Sequence, residues 1–183
     1  MFYHASQTPD IKVLEPRISN HGKPLVYLSQ KRENVLVYLS NAVEKHCREN
    51  SFEHNGVYTK WGSYGFNGEK ILVLDEYYPN ASRETYEGVS GYIYSVSDTG
   101  TSMEDIPFAF VTDKPAEVLE CEFIADAYAE LLCAAEQGKI IMNSYENSSP
   151  QKLEWIDKTV RKEYENPQST EEYRYFLRCK FEF

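Results

Sequence analysis

The chain is expected to fold as a mixed α+β domain, and three observations carry that expectation. Short apolar runs rich in Tyr, Phe and Val recur through residues 1–123, separated by turn residues. Two segments, 30–49 and 124–138, change to an apolar spacing of three or four, the period of an amphipathic helix. Beyond Ser149 helical signals dominate. The body is therefore read as residues 1–140, with a helical C-terminal appendage over 141–183 packed on it.

Composition narrows the class. The 183 residues are enough for one domain with a sizeable core, and 14% are aromatic, mostly Tyr. Tyr joins apolar area to a polar tip and so suits clefts and interfaces. The formal net charge is −10, from 19 Lys+Arg against 29 Asp+Glu. Bulk binding of nucleic-acid phosphates is excluded on that balance. The four cysteines form no CxxC and have no His at ligand spacing, so no metal site is expected. With no signal-peptide pattern, they read as reduced thiols of a cytoplasmic protein. No apolar stretch approaches the ~20 residues that span a bilayer.

The elements follow in order. Phe2-Tyr3-His4-Ala5-Ser6 is a first strand, and Pro24-Leu25-Val26-Tyr27-Leu28-Ser29 a second. Ser29 is placed to cap a helix from about Gln30 to Glu49, whose apolar stripe is Val35, Leu36, Leu39, Val43 and Cys47. Tyr38 lies at the margin of that stripe. Tyr58–Trp61 and Lys70–Tyr77 read as strands around a glycine-rich loop, and Pro79-Asn80-Ala81-Ser82 as a turn. Gly91–Val96, Phe108–Thr112 and Ala116–Phe123 are further strands, with a polar loop over 97–104. Gly138 closes the helix that begins near Ile124. Ser149-Pro150 opens the next, with Leu153, Ile156, Val160 and Tyr164 on one face. The last segment, 169–183, reads as helix at first, with a strand as an option at its end.

Three of these residues stand out by order and spacing: a strand His before a small residue (His4, Ala5), a strand Tyr followed by Leu-Ser (Tyr27 to Ser29), and a helix Tyr eleven positions on (Tyr38). The arrangement resembles the His-Tyr class of ADP-ribosyltransferases, the group of diphtheria-toxin-like and poly(ADP-ribose) polymerase catalytic domains. It covers roughly the first fifty residues closely, the middle loosely and the C-terminal third not at all. The resemblance implies a split mixed sheet with flanking helices and NAD as substrate. It also implies that His4 bonds a ribose hydroxyl, that the backbone at Ala5 reaches the nicotinamide carboxamide, and that Tyr27 and Tyr38 sandwich the ring. Ser29 either shares those contacts or caps its helix.

The physics of the aromatic pair suits that ligand. The nicotinamide of NAD is flat and cationic, and aromatic faces hold it by stacking and cation–π attraction worth ~0.5–2 kcal/mol. Transfer also needs a carboxylate near the ribose, because the transition state resembles an oxocarbenium ion. In the resembled family that Glu opens a late strand, here Phe108–Thr112, whose first residue is Phe108. Glu104, just upstream, is the candidate acid, with Glu122 and Asp126 next; family members that replace the Glu transfer little or nothing. Lys12, Arg17 and Lys23 are candidates to approach a pyrophosphate, while His21, His46 and His54 show no metal-like spacing. Three functional readings stay open: ADP-ribose transfer or NAD hydrolysis, a non-catalytic nucleotide-binding module, and an acidic interaction protein with a basic partner.

Overall fold

Antiparallel pairing of the early and middle strands organises the molecule. The computed structural model describes residues 1–18, 23–54, 63–97 and 100–182. The expected strand at Tyr58–Trp61 and the residue His21 lie outside that description. The strands β1 (Phe2–Ser6), β2 (Val13–Leu14), β3 (Arg17–Ile18), β4 (Pro24–Ser29), β7 (Gly91–Val96), β8 (Thr101–Ser102), β9 (Ala109–Thr112) and β10 (Ala116–Ile124) build one sheet. Its order is β2-β10-β7-β1-β4-β9-β8, with β3 on the start of β4. Every neighbouring pair in it is antiparallel. A second, three-stranded sheet holds β5 (Tyr64–Phe66), β6 (Leu72–Asp75) and β11 (Ile140–Asn143), where β11 runs parallel to β6. Five α-helices among the described residues, α1 (Ala42–Glu49), α2 (Ala81–Tyr86), α3 (Ala127–Glu136), α4 (Pro150–Glu165) and α5 (Glu171–Phe181), complete a mixed α+β fold.

The expected continuous helix over 30–49 is two elements. A 3-10 helix covers Arg32–Tyr38, and α1 starts only at Ala42. Between them Leu39 and Asn41 leave helical geometry, with ψ of 64° and φ of −146°. Two β-branched valines, Val35 and Val37, weaken helix formation, and Ser40 and Asn41 are poor helix formers. The break divides the apolar stripe. Val35, Leu36 and Leu39 enter a core with Ala5, Ile93, Ile124, Leu131 and the second sheet. Val43 and Cys47 enter another core with Ile156, Val160, Phe176 and Leu177. One amphipathic segment thus serves two cores because its two halves point differently.

Four further expectations are corrected. The glycine-rich segment expected as loop contains β5, which pairs with β6 from Tyr64 opposite Leu74 to Phe66 opposite Leu72. The expected turn at 79–82 leads into α2, whose first turn is held by the Glu76 carboxylate accepting from the Ser82 amide at 3.0 Å. The polar segment 97–104 includes the short strand β8. At the C-terminus, α5 continues to Phe181, so the optional final strand is not formed.

The C-terminal helices are fastened by apolar and polar contacts. Ser149 caps α4 by accepting from the Lys152 amide at 3.2 Å, with Pro150 in the first turn, as the sequence implies. Thr170 caps α5 in the same way. Lys152 bonds Asp75 at the end of β6 at 2.8 Å, and the second Glu76 oxygen accepts from the Tyr145 amide. β11 itself runs across the 140/141 boundary drawn from sequence.

Leu36 is fully buried between the 3-10 helix and the sheet. Leu36→Ala is expected to cost ~2–5 kcal/mol, the range for a deleted core leucine. Urea unfolding should show a lower midpoint with an unchanged slope.

Candidate functional site

The site is built around Ser29, the last residue of β4. Ser29 stands opposite Tyr3 of β1 on one side and Ala109 of β9 on the other. Its side chain is buried, and its hydroxyl accepts from the Lys31 amide at 3.1 Å. Ser29 therefore holds the turn out of β4. It does not cap the following helix, whose N-cap position is Lys31, with no side-chain bond.

β1 and β4 share a ladder at one position only, Tyr3 opposite Ser29. The imidazole of His4 supplies the next connection, with Nδ1 2.9 Å from the carbonyl oxygen of Tyr27. A carbonyl only accepts, so Nδ1 carries the proton of the neutral ring and Nε2 keeps its lone pair. Burial is the main cause of a lowered His4 pKa; the Tyr27 carbonyl opposes it and the Arg17 charge adds to it. His4 is thus neutral at pH 7 and can accept a hydrogen bond at Nε2. Ala5, next in β1, is buried in the first core and lies opposite Ile93 of β7.

Tyr38 ends the 3-10 helix and is 45% exposed. Its ring meets Tyr64 of β5 edge-on, with centroids 6.1 Å apart and planes at 81°. Burial of the phenol raises its pKa, the Tyr64 hydroxyl lowers it, and Tyr27 raises it. The ring partner of Tyr38 is thus Tyr64, while Tyr27 acts on it only through its charge. Tyr64 was missed from sequence because its setting, Gly62-Ser63-Tyr64-Gly65, reads as loop; only the aromatic between glycines marked it.

The acids are distributed differently. Glu104 lies exposed in the turn between β8 and β9, and has no ion pair among the described residues. That turn is closed by Met103 and Ala109, whose amide and carbonyl bond at 2.9 Å. Glu122 is taken by Arg32, through two bonds of 2.8 and 2.6 Å, and Arg32 also reaches Glu130 at 3.0 Å. Those bonds hold the Glu122 pKa down and raise that of Arg32. Asp126 caps α3, accepting from the amides of Ala129 and Gly88, which lower its pKa. Both alternative acids are thus engaged in holding structure together. The residue before β9 is Phe108, in the left-handed region at φ 61°, and its carbonyl accepts from the Gln30 amide at 3.0 Å.

Of the three loop cations, Arg17 comes nearest the site. It pairs opposite Leu25 in β4, and its charge reaches His4. Lys12 belongs to the far edge, where its carbonyl accepts from the Val118 amide, and Lys23 is exposed just before β4. A cleft of about 300 Å³ lies elsewhere, between α1, α2 and α5. Its cations are already compensated: Lys180 by Glu84, Arg83 by Glu87, and Lys45 by the carbonyls ending α2. Among the described residues no three His, Cys, Asp or Glu side chains gather as metal ligands, and no helix is long and apolar enough to cross a membrane. Comparison of the chain with protein-family models, curated proteins and solved structures gives no match.

The lowered His4 pKa fixes the sign of a pH effect. In the unfolded chain His4 takes up a proton near its ordinary value of 6.5, whereas the folded site resists it. Stability is therefore fully present above pH 6.5 and falls as pH drops below it toward the folded value. His4→Gln should lose this component of the pH dependence. Proton NMR of the imidazole should give a midpoint below 6.5.

Proposed function

We propose that this chain is an ADP-ribosyltransferase-like protein that binds NAD or a related ADP-ribosyl nucleotide through His4 of β1, Tyr27 of β4 and Tyr38 at the end of the 3-10 helix. The observation that carries the reading is the bond from His4 Nδ1 to the Tyr27 carbonyl, which joins the two motif-bearing strands, with Tyr38 at the end of the 3-10 helix that follows. The bond orients the imidazole and leaves Nε2 to accept from a ribose hydroxyl. The part-open ring of Tyr38 offers a face for a flat cationic ring, and Tyr64 supports Tyr38 from the edge. The neighbouring Arg17 suits a pyrophosphate. The free thiols fit a cytoplasmic setting.

Catalysis on this reading falls to Glu104, an acid just upstream of β9 in sequence. A second reading, binding without turnover, is favoured by a specific observation: Phe108 stands before β9 where the resemblance places a carboxylate, and Glu122 and Asp126 are otherwise engaged.

Two measurements test these readings. Calorimetry with NAD should show Tyr38→Ala binding more weakly by ~1–2 kcal/mol, the scale of one lost aromatic contact. Equal affinities would remove Tyr38 from the site. Nicotinamide release from NAD should fall about a hundredfold in Glu104→Gln if Glu104 stabilises the ribosyl cation. A wild type that binds NAD and releases none assigns the site to binding alone.

A further inference from the structure

We propose that the outer edge of β10, over residues 119–124, docks an extended segment of another protein, one whose side chains alternate between apolar and basic. This edge lies on the far side of β7 from the strands that carry His4 and Tyr27.

β10 is the longest strand among the described residues, nine residues over Ala116–Ile124. On its inner side it pairs with β7 from Val118 to Ile124. On its outer side it pairs with β2 only at Ala116 and Glu117, and the bond from the Val118 amide to the Lys12 carbonyl at 2.9 Å ends that contact. Before Lys12 the chain leaves the edge, and the Ile11 amide donates to the Tyr94 hydroxyl of β7. The outward N–H and C=O groups of 119–124 therefore have no strand partner among the described residues. Such a row is a template for one more strand. Sheet edges are commonly blunted by short strands, Lys or Pro. The opposite edge is blunted in the first way, since β8 has two residues. β10 is long and contains neither Lys nor Pro.

The side chains select the strand that fits. The register slips between Val118 and Glu120, so Leu119 is the extra residue of a bulge and is 57% exposed. Past it, pairing with β7 is regular for five residues, from Glu120 opposite Ser95 to Ile124 opposite Gly91. Alternation puts Cys121 and Phe123 on one face, Glu120 and Glu122 on the other. Phe123 is 59% exposed, with its ring 5.3 Å from that of Tyr92. An apolar side chain on an added strand covers that patch. On the other face Glu122 is engaged by Arg32. Glu120 is exposed and has no ion pair among the described residues. A Lys or Arg on the added strand supplies the missing charge. A second copy of this chain does not. A two-fold pair centred on Cys121 sets Glu120 against the second copy's Glu122, and each chain brings a net charge of −10.

The probes are a synthetic peptide of about eight residues alternating Val with Lys, its Val–Glu counterpart, and the Val–Lys peptide with every backbone amide N-methylated. Calorimetry should show the Val–Lys peptide binding, the Val–Glu peptide at least about tenfold weaker and the N-methylated peptide not at all. Glu120→Lys should weaken the Val–Lys peptide about fivefold, the scale of an attractive cross-strand pair turned repulsive, and Phe123→Ser by a similar factor. Circular dichroism checks that both variants fold. Amide exchange over 119–124 should slow when the peptide is bound. A Val–Lys peptide that does not bind, or that binds equally well when N-methylated, overturns the docking edge. Unchanged affinity in folded Glu120→Lys or Phe123→Ser takes the peptide off β10 and overturns it as well. Slow exchange over 119–124 in the protein alone, deepening with its concentration, gives the edge to a second copy and overturns the basic partner.

Discussion

Where β1 and β4 stop sharing a ladder, a side chain takes over. One backbone rung at Tyr3 and Ser29 is followed by the His4 imidazole on the Tyr27 carbonyl. These two strands are the centre of the large sheet, with β7 and β10 beyond one and β9 and β8 beyond the other. Their geometry therefore sets how both halves of the sheet meet. A side chain in place of a rung is costly to bury unless its polar atoms find partners, and the carbonyl provides one for Nδ1. The same bond fixes the tautomer, so structure and candidate chemistry share a single contact.

The break at Leu39 has the next largest consequence. A straight helix from residue 30 to 49 would carry its whole stripe to one core. Interrupted, its first half seals the core over β1 and β7, and its second half offers Val43 and Cys47 to α4 and α5. The C-terminal helices thus reach the rest of the fold through α1 and through the tail of β6, where Asp75 and Glu76 collect bonds from Lys152, Ser82 and Tyr145. The break also leaves Tyr38 at a helix end beside Tyr64, part open, and not on the flank of a long helix.

Charge is used unevenly. Most of the cations in ion pairs brace the surface, and two such braces, Lys158 with Glu154 and Arg161 with Asp157, are exposed pairs one helical turn apart, worth little in water. Arg32 is different. It joins the 3-10 helix to β10 and α3 through two carboxylates, which is why Glu122 serves the fold. Lys31, its neighbour in sequence, turns to an aromatic ring instead. Adjacent basic residues with opposite assignments are a product of the helix they begin, which sends successive side chains in different directions.

Local patterns determined much of this protein by themselves. The strands at Phe2–Ser6, Pro24–Ser29 and Gly91–Val96 and the caps Ser149 and Thr170 follow from propensity and short-range bonding. The pairing of His4 with a Tyr-bearing strand was legible as a motif. What sequence could not decide was whatever depends on two segments meeting. The break after Tyr38, favoured locally by Val35 and Val37, is completed by two cores that divide one stripe, and β5 exists only because β6 pairs with it. The engagement of Glu122 and Asp126, the Lys31 contact with Phe108 and the nearness of Arg17 to His4 join residues distant along the chain. Periodicity reports which face of an element is apolar, but only the packed fold chooses what that face meets.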